Sequence, residues 1–535
     1  MTKTWMAPLA VVLGLMPAMP ALAQTANQSQ TEGGTPVDGG IMRVAIQADI
    51  RSLDGSRVDT ITDLVLHHIY EQLVAYREDL TVGPALAESW TVSDDRRRYA
   101  LHLREGAVYH DGTPVKAADF VPLWNDRMGW RESRGTPWVC AATFDGTRST
   151  KVTNVSATDE RTITFTIDQP DALFLAKLAD LPCNVWMAAP ANFDAEGKWK
   201  DGSAIGSGSL KLKSWKKEQM VALERFDGYV PSTEPRDGYG GDRTMHFDEV
   251  DFVVVPDKTA AETALYAGQI DVVTQIQTSR IKDVEAQGAK VMTAPGLSMS
   301  ALLIQTNDPV MSNQKLRQAI AHAIDVRQIA TLKTDGLIQP NPSGVPESSA
   351  IYGDAFKTWP AYDPAKAKAL LKEAGYDGQP IVIEANKRYI GMYDNAVIIQ
   401  AMLMAAGINA QIEVLDWAAQ LDHWMSGKFQ MMSFGFASRT DPVMLYGLLV
   451  GDKTKTPTSQ FSDPKAIELL HTAASTEDVT ARGKVLAGLQ KLMADQVPVY
   501  PLFYYPVVDA VSPNLAGYEP WSLDKPRTWG VWRRQ

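Results

Sequence analysis

The sequence predicts an α/β protein of two lobes with mixed sheets, joined by a hinge. Three observations carry that prediction. The chain has 535 residues, 45% of them apolar and 21% charged, which is too long for one hydrophobic core and too apolar for disorder. Segments of strand and helix character alternate along it, the pattern of α/β lobes. Two breaks, Ala294-Pro295-Gly296 and the proline-bearing stretch from Val497 to Pro501, border a segment whose two connections would lie close together, and lobes joined in that way can close over a ligand.

The elements follow in order. Lys3, the apolar run from Met6 to Met19 and the small-x-small site Ala21-Leu22-Ala23 form an export signal over residues 1–23. The run is shorter than the roughly 18 residues a membrane span needs, and Pro8 and Pro17 interrupt it. Residues 24–40, rich in Gln, Ser, Thr and Gly, read as a flexible lead-in. Ile41 to Ala48 has strand character, and Leu64 to Leu73 has apolar residues on one helix face. Tyr99, Leu101 and Leu103 alternate with more polar neighbours, as do Ile163, Phe165 and Ile167, so each segment is a strand with one buried side. Val250 to Val255 reads as a buried strand, and Ala260 to Ala267 as a short helix closed by Gly268. Asn313 to Ile324 stacks Leu316, Ile320 and Ile324 at helical spacing. Asp363-Pro364 and Gly375 cap, open and stop another helix. Val497 to Tyr505 is extended, its prolines pointing to an edge or a crossing. The resulting division is a first lobe over 41–300, a second over 301–498 and a return to the first over 499–535.

A formal charge of −11, without a long basic block, argues against a general nucleic-acid binder. Cys140 and Cys183, the two cysteines, would meet an oxidising compartment after export and read as a disulfide; two buried free thiols are the alternative. Catalytic signatures are missing. Gly206-Ser207-Gly208-Ser209 does not space its serines as a nucleophile elbow does. There is no zinc-protease or Walker pattern, and Gly238-Tyr239-Gly240-Gly241 lacks the strand and helix of a dinucleotide site. His67 and His68, adjacent on a helix, point about 100° apart and do not suit one metal ion. No cofactor is expected.

Leu86-Ala87-Glu88-Ser89-Trp90, Tyr99 to Gly106 and His110-Asp111-Gly112-Thr113-Pro114 through Asp119-Phe120 form a long stretch that resembles the signature region of extracytoplasmic solute-binding proteins of family 5, which serve dipeptide and oligopeptide ABC importers. Ala267-Gly268-Gln269-Ile270-Asp271, Leu316-Arg317-Gln318-Ala319-Ile320 and Tyr362-Asp363-Pro364-Ala365 extend the resemblance over most of the chain. It implies the two-lobed periplasmic binding fold, with an extra small domain in the first lobe near residues 80–200. It also implies a periplasmic location and delivery of an enclosed ligand to an inner-membrane ABC permease, with a monomer expected.

In peptide-binding relatives an acid holds the ligand amino group and an arginine its carboxylate. The resemblance puts Asp441 near the first position and Arg388, followed by Tyr389, near the second; an Arg–carboxylate fork in a water-poor cleft is physically apt. Trp417 falls at a cleft position, and Phe436 stands where tryptophan is frequent, which weakens a strict dipeptide reading. Arg57, Asp59 and Thr60 resemble the first-lobe loop bordering the cleft, and Arg57 and Arg439 add positive charge that suits a carboxylated solute. The bland alternatives are a helix cap for Asp441 and surface ion pairs for the arginines. The expected function is a binding component for a peptide or other small polar, carboxylated solute; an exported hydrolase and a periplasmic peptide-binding chaperone are the alternatives.

Overall fold

The structure, a computed structural model, describes residues 34–55, 59–129, 138–147, 150–389 and 391–534. The expected export signal, part of the lead-in and Arg57 lie outside the described residues.

The first lobe is organised around β1 (Ile41–Ile46), whose Met42, Val44 and Ile46 are buried. It pairs in parallel with β10 (Glu249–Val254) and with β11 (Val272–Val273). Outward from β10 lie β9 (Met220–Arg225) and β8 (Leu210–Lys216), and from β11 lie β18 (Val507–Val511) and β12 (Lys290–Ala294), giving the order β12-β18-β11-β1-β10-β9-β8. Parallel pairing needs long crossovers, and the chain between β1 and β8 supplies one containing a domain of its own.

That insert begins with a short hairpin, β2 (Val74–Tyr76) and β3 (Val82–Pro84), and continues as an antiparallel sheet. Its order is β4 (Ala87–Val92), β5 (Arg98–Leu103), β7 (Thr162–Ile167), β6 (Val152–Ala157). The alternation predicts the packing: Tyr99, Leu101, Leu103, Ile163, Phe165 and Ile167 are all buried. Against them lies the helix Ala117–Met128 with Phe120 and Trp124, whose rings pack edge to face on Phe165 at 5.8 and 5.3 Å. Cys140 and Cys183 form a disulfide with Cα atoms 5.4 Å apart and 43 residues of separation. Closing a loop of that length stabilises the fold by about 4 kcal/mol on a chain-entropy account.

The second lobe holds a five-stranded sheet: β15 (Ala410–Val414), β14 (Ile381–Ala385), β16 (Met431–Phe436), β13 (Met299–Ile304) and β17 (Val499–Tyr504). β13 is buried throughout, as a central strand must be. Gln314–Ala323 is capped by Asn313, which accepts from Leu316 N, and Pro364–Glu373 by Asp363, which accepts from Lys366 N. In the first lobe the helix after β1 spans Thr60–Ile69 and stops four residues before Leu73; Tyr70 turns extended and donates its hydroxyl to Leu53 O at 2.8 Å. A last pair, β19 (Leu515–Ala516) and β20 (Trp532–Arg533), closes the first lobe.

Two segments join the sheets. One runs from β12 to β13 through residues 295–298, where the first break was expected. The other runs from β17 to β18 through Tyr505-Pro506, several residues beyond the expected Val497–Pro501. The later position has a simple cause: Pro501 sits inside β17, and β17 is the edge of its sheet, where proline costs no ladder bond. The return to the first lobe therefore begins at Val507, not at residue 499. The crossings touch, with Tyr505 N donating to Ser298 O at 3.0 Å. A Cβ on Gly296 would stand 1.9 Å from Tyr505 O, so only glycine allows this approach.

Candidate functional site

Strand direction aims both sheets at the crossings. In the first lobe β1, β10 and β11 are parallel. β12, antiparallel to β18, which is itself antiparallel to β11, runs the same way. Their carboxyl ends, including the loop after β1, therefore open where β12 leaves for the second lobe. In the second lobe β14 and β16 are parallel, and the register Met299↔Phe436 and Met299↔Tyr504 puts the end of β16 beside the start of β13 and the end of β17. Ligands of α/β proteins collect at such strand ends, so the loops after β1, β14 and β16 form the candidate site.

On the second-lobe side, Asn386 is buried and its Oδ1 accepts from both Arg388 N and Tyr389 N at 3.0 Å, which shapes the turn that presents these side chains. The Arg388 guanidinium lies 5.6 Å from the centre of the Tyr389 ring. Tyr389 meets Trp417 edge to face at 4.6 Å, Trp417 stacks on Phe434 at 5.9 Å, and Phe434 packs on Phe436 at 5.1 Å. Four of the expected residues, Arg388, Tyr389, Trp417 and Phe436, thus form one aromatic wall with a cation at its edge. Phe434, which links them, was missed because its alternating strand pattern reads as core. Gly391, with φ of +80°, closes the turn; a Cβ there would strike the Tyr505 hydroxyl on the crossing.

Arg439 sits in the loop after β16 and donates to Ser438 O at 2.9 Å. Asp441 is 5% exposed, accepts from Val443 N at 2.8 Å as cap of the helix Pro442–Leu449, and pairs with Arg482 at 3.3 Å. Burial pushes its carboxyl above the usual range while Arg482 pulls it back. Asp441 therefore occupies the capping role, with its charge already matched.

On the first-lobe side, Asp59 caps the helix Thr60–Ile69, its Oδ1 accepting from Ile61 N and Thr62 N and its Oδ2 from Thr62 Oγ1. The exposed Thr60 lends its carbonyl to Lys525 Nζ at 3.1 Å. Lys525 is buried and stands 3.9 Å from Asp63, itself buried. Asp180, from the small domain, feels the charge of Arg439 across the lobe boundary; burial pushes it up to about 6, with Arg439 opposing. Sequence reasoning missed Lys525, Asp63 and Asp180. Asp63 reads as an ordinary first-turn acid, and no local pattern marks the other two.

The buried acids set a pH dependence. Burial pushes Asp63 up to about 7 against the pull of Lys525, and pushes Asp509 up to about 7 although the Tyr518 hydroxyl donates to it at 2.7 Å. The unfolded chain releases these protons near pH 4. Between about pH 4 and 7 the folded state holds protons that the unfolded state has lost, so stability falls as pH rises through that window. Burial pushes His67, His68 and His110 down, which opposes this trend until the unfolded chain loses those protons near pH 6.5, so the expected calorimetric Tm is higher at pH 6.5 than at pH 8, with a shallower slope for Asp63→Asn. An unchanged slope in that variant would remove Asp63 from the explanation.

Known proteins match this architecture. The chain is 26% identical over 489 residues, 89% of its own length and 91% of the relative's, to the glutathione-binding protein GsiB of Escherichia coli (strain K12). Among solved structures, HbpA2 of Haemophilus parasuis superposes with a TM-score of 0.83 at 22% identity, covering 93% of this chain and 100% of that one. The periplasmic binding protein DppA of Helicobacter pylori, in complex with the peptide STSA, gives 0.69 at 26% identity over 93% and 99% of the two chains. The two-lobed α/β periplasmic binding fold expected from the sequence is the one observed. The family model of the bacterial extracellular solute-binding proteins, family 5, matches residues 81–456, from the small domain deep into the second lobe, and the chain belongs to that family.

Proposed function

We propose that this protein is the periplasmic substrate-binding component of an ABC importer, closing its lobes on a peptide-like, carboxylated solute and presenting it to an inner-membrane permease. The observation that carries the reading is the pair of touching crossings, with the strand ends of both sheets turned toward the gap they span. Such a hinge is a device for enclosure, and closure both buries the ligand and creates the surface a transporter reads. The relatives support a peptide-like guest, one being named for glutathione and another holding the peptide STSA.

Within this proposal Arg388 and Arg439 grip the ligand carboxylate, with Arg57 as a third cation. Tyr389, Trp417 and Phe436 enclose its body, while Asp59 and Thr60 shape the opposite rim. Asp441 contributes by holding the helix Pro442–Leu449 against Arg482. That commitment favours a ligand read at its carboxylate over one read at its amino group. The test is native mass spectrometry of protein purified without denaturation, followed by thermal-shift screening of peptides, opines, sugars and organic acids. A ligand of the proposed class raises Tm progressively with concentration. Failure of every peptide and carboxylate to do so, or their hydrolysis during incubation, would overturn the proposal.

A further inference from the structure

A cavity of about 440 Å³ lies wholly within the first lobe; of the loops that rim the cleft it borders only the one after β1, at Asp54, and Asp59, Thr60, Arg388, Tyr389, Trp417 and Arg439 take no part in it. It opens between the end of the helix Ala117–Met128, the loop at Asp54 and the stretch Val185–Trp199. Its volume falls in the range of small-molecule sites. Four aromatic side chains, Tyr70, Trp186, Phe193 and Trp199, are part of its wall.

These rings are held in place. Tyr70 donates its hydroxyl to Leu53 O at 2.8 Å, and Trp199 donates Nε1 to Ser203 O at 3.0 Å. Phe193 and Trp199 face each other across a β-bridge with ring centres 5.2 Å apart. Trp186 stands edge-on to His67 at 4.6 Å. Because backbone carbonyls take up the polar atoms of Tyr70 and Trp199, what these two offer the cavity is ring surface.

The charged lining separates into two kinds. Arg127 is buried, and its guanidinium donates to Asp54 O at 2.6 Å, which fixes the group in the wall. Asp126, Glu196 and Lys198 are exposed at the margin and carry both signs. An ionic guest would meet opposing charges in high dielectric and gain little. A neutral guest with several hydroxyls can use the donor and the acceptors together, while its C–H faces lie on the aromatic walls.

We propose that this cavity is a second ligand site, independent of the inter-lobe cleft, that takes a neutral sugar ring. The test is calorimetry and saturation-transfer NMR on the intact protein with maltose and N,N′-diacetylchitobiose as probes. Binding of one probe is expected, weakened about tenfold by Trp199→Ala, largely kept by Trp199→Phe and unchanged by Arg388→Ala. Lack of binding by both sugars overturns the proposal, as does equal binding by a Trp199→Ala protein with native Tm. Loss of binding in Arg388→Ala would place the sugar in the cleft and overturn it as well. Stronger binding of ethanolamine or acetate, sensitive to Trp199→Ala, would overturn the neutral class.

Discussion

Replacing Arg388 with alanine is expected to weaken a carboxylated ligand by about 2 to 5 kcal/mol, the cost of removing one partner from a buried charge pair. The turn that carries Arg388 is set by two backbone bonds to the buried Asn386, so truncating the side chain leaves the turn in place. Arg388 is exposed in this structure, and its effect therefore depends on closure, which removes water around the guanidinium and strengthens the contact. Calorimetry should show the loss for the carboxylate and almost none for the corresponding amide, with Arg388→Lys intermediate because an ammonium cannot form the planar fork. Unchanged affinity for the carboxylate in Arg388→Ala would end this assignment.

The second large effect concerns stability. Asp441→Ala removes one member of a buried ion pair and a helix cap together, leaving Arg482, whose side chain is 12% exposed, without its partner. Stranding a buried charge costs about 3 to 5 kcal/mol, and loss of the cap adds about 1 kcal/mol. Denaturant unfolding should register a drop of that size, and Asp441→Asn should recover the part owed to the cap. A variant with near-native stability but much weaker ligand binding would return Asp441 to direct contact with the ligand.

The two experiments separate residues that looked alike in the sequence. The resemblance alone matches Arg388 and Asp441 to opposite ends of a ligand, without telling their surroundings apart. The fold gives Asp441 a partner 41 positions away, on the helix Val479–Gln496, and gives Arg388 an aromatic neighbour and solvent. Asp59 belongs with Asp441: its carboxylate accepts three short-range hydrogen bonds at a helix start, the commonest reason for aspartate to stand there.

Much of the architecture was legible because it depends on local periodicity. Alternation at Tyr99-Leu101-Leu103 and Ile163-Phe165-Ile167 marks strands with one buried face. Asn313 and Asp363 announce helix starts through their own side chains. The second crossing was misplaced because proline marks an edge strand and a crossing equally well, and only the pairing of β17 with β13 distinguishes them.

Local order therefore declares an exported, two-lobed α/β protein and the motif-bearing segments of its family, since the strand and helix periods and the cap chemistry reside in neighbouring residues. Contacts between distant segments decide the rest. The aromatic wall joins residues 389, 417, 434 and 436, Lys525 reaches Asp63 from the far end of the chain, and Asp180 senses Arg439 across the lobe boundary. Charge and burial depend on what lies within a few ångströms in space, and folding alone brings those groups together.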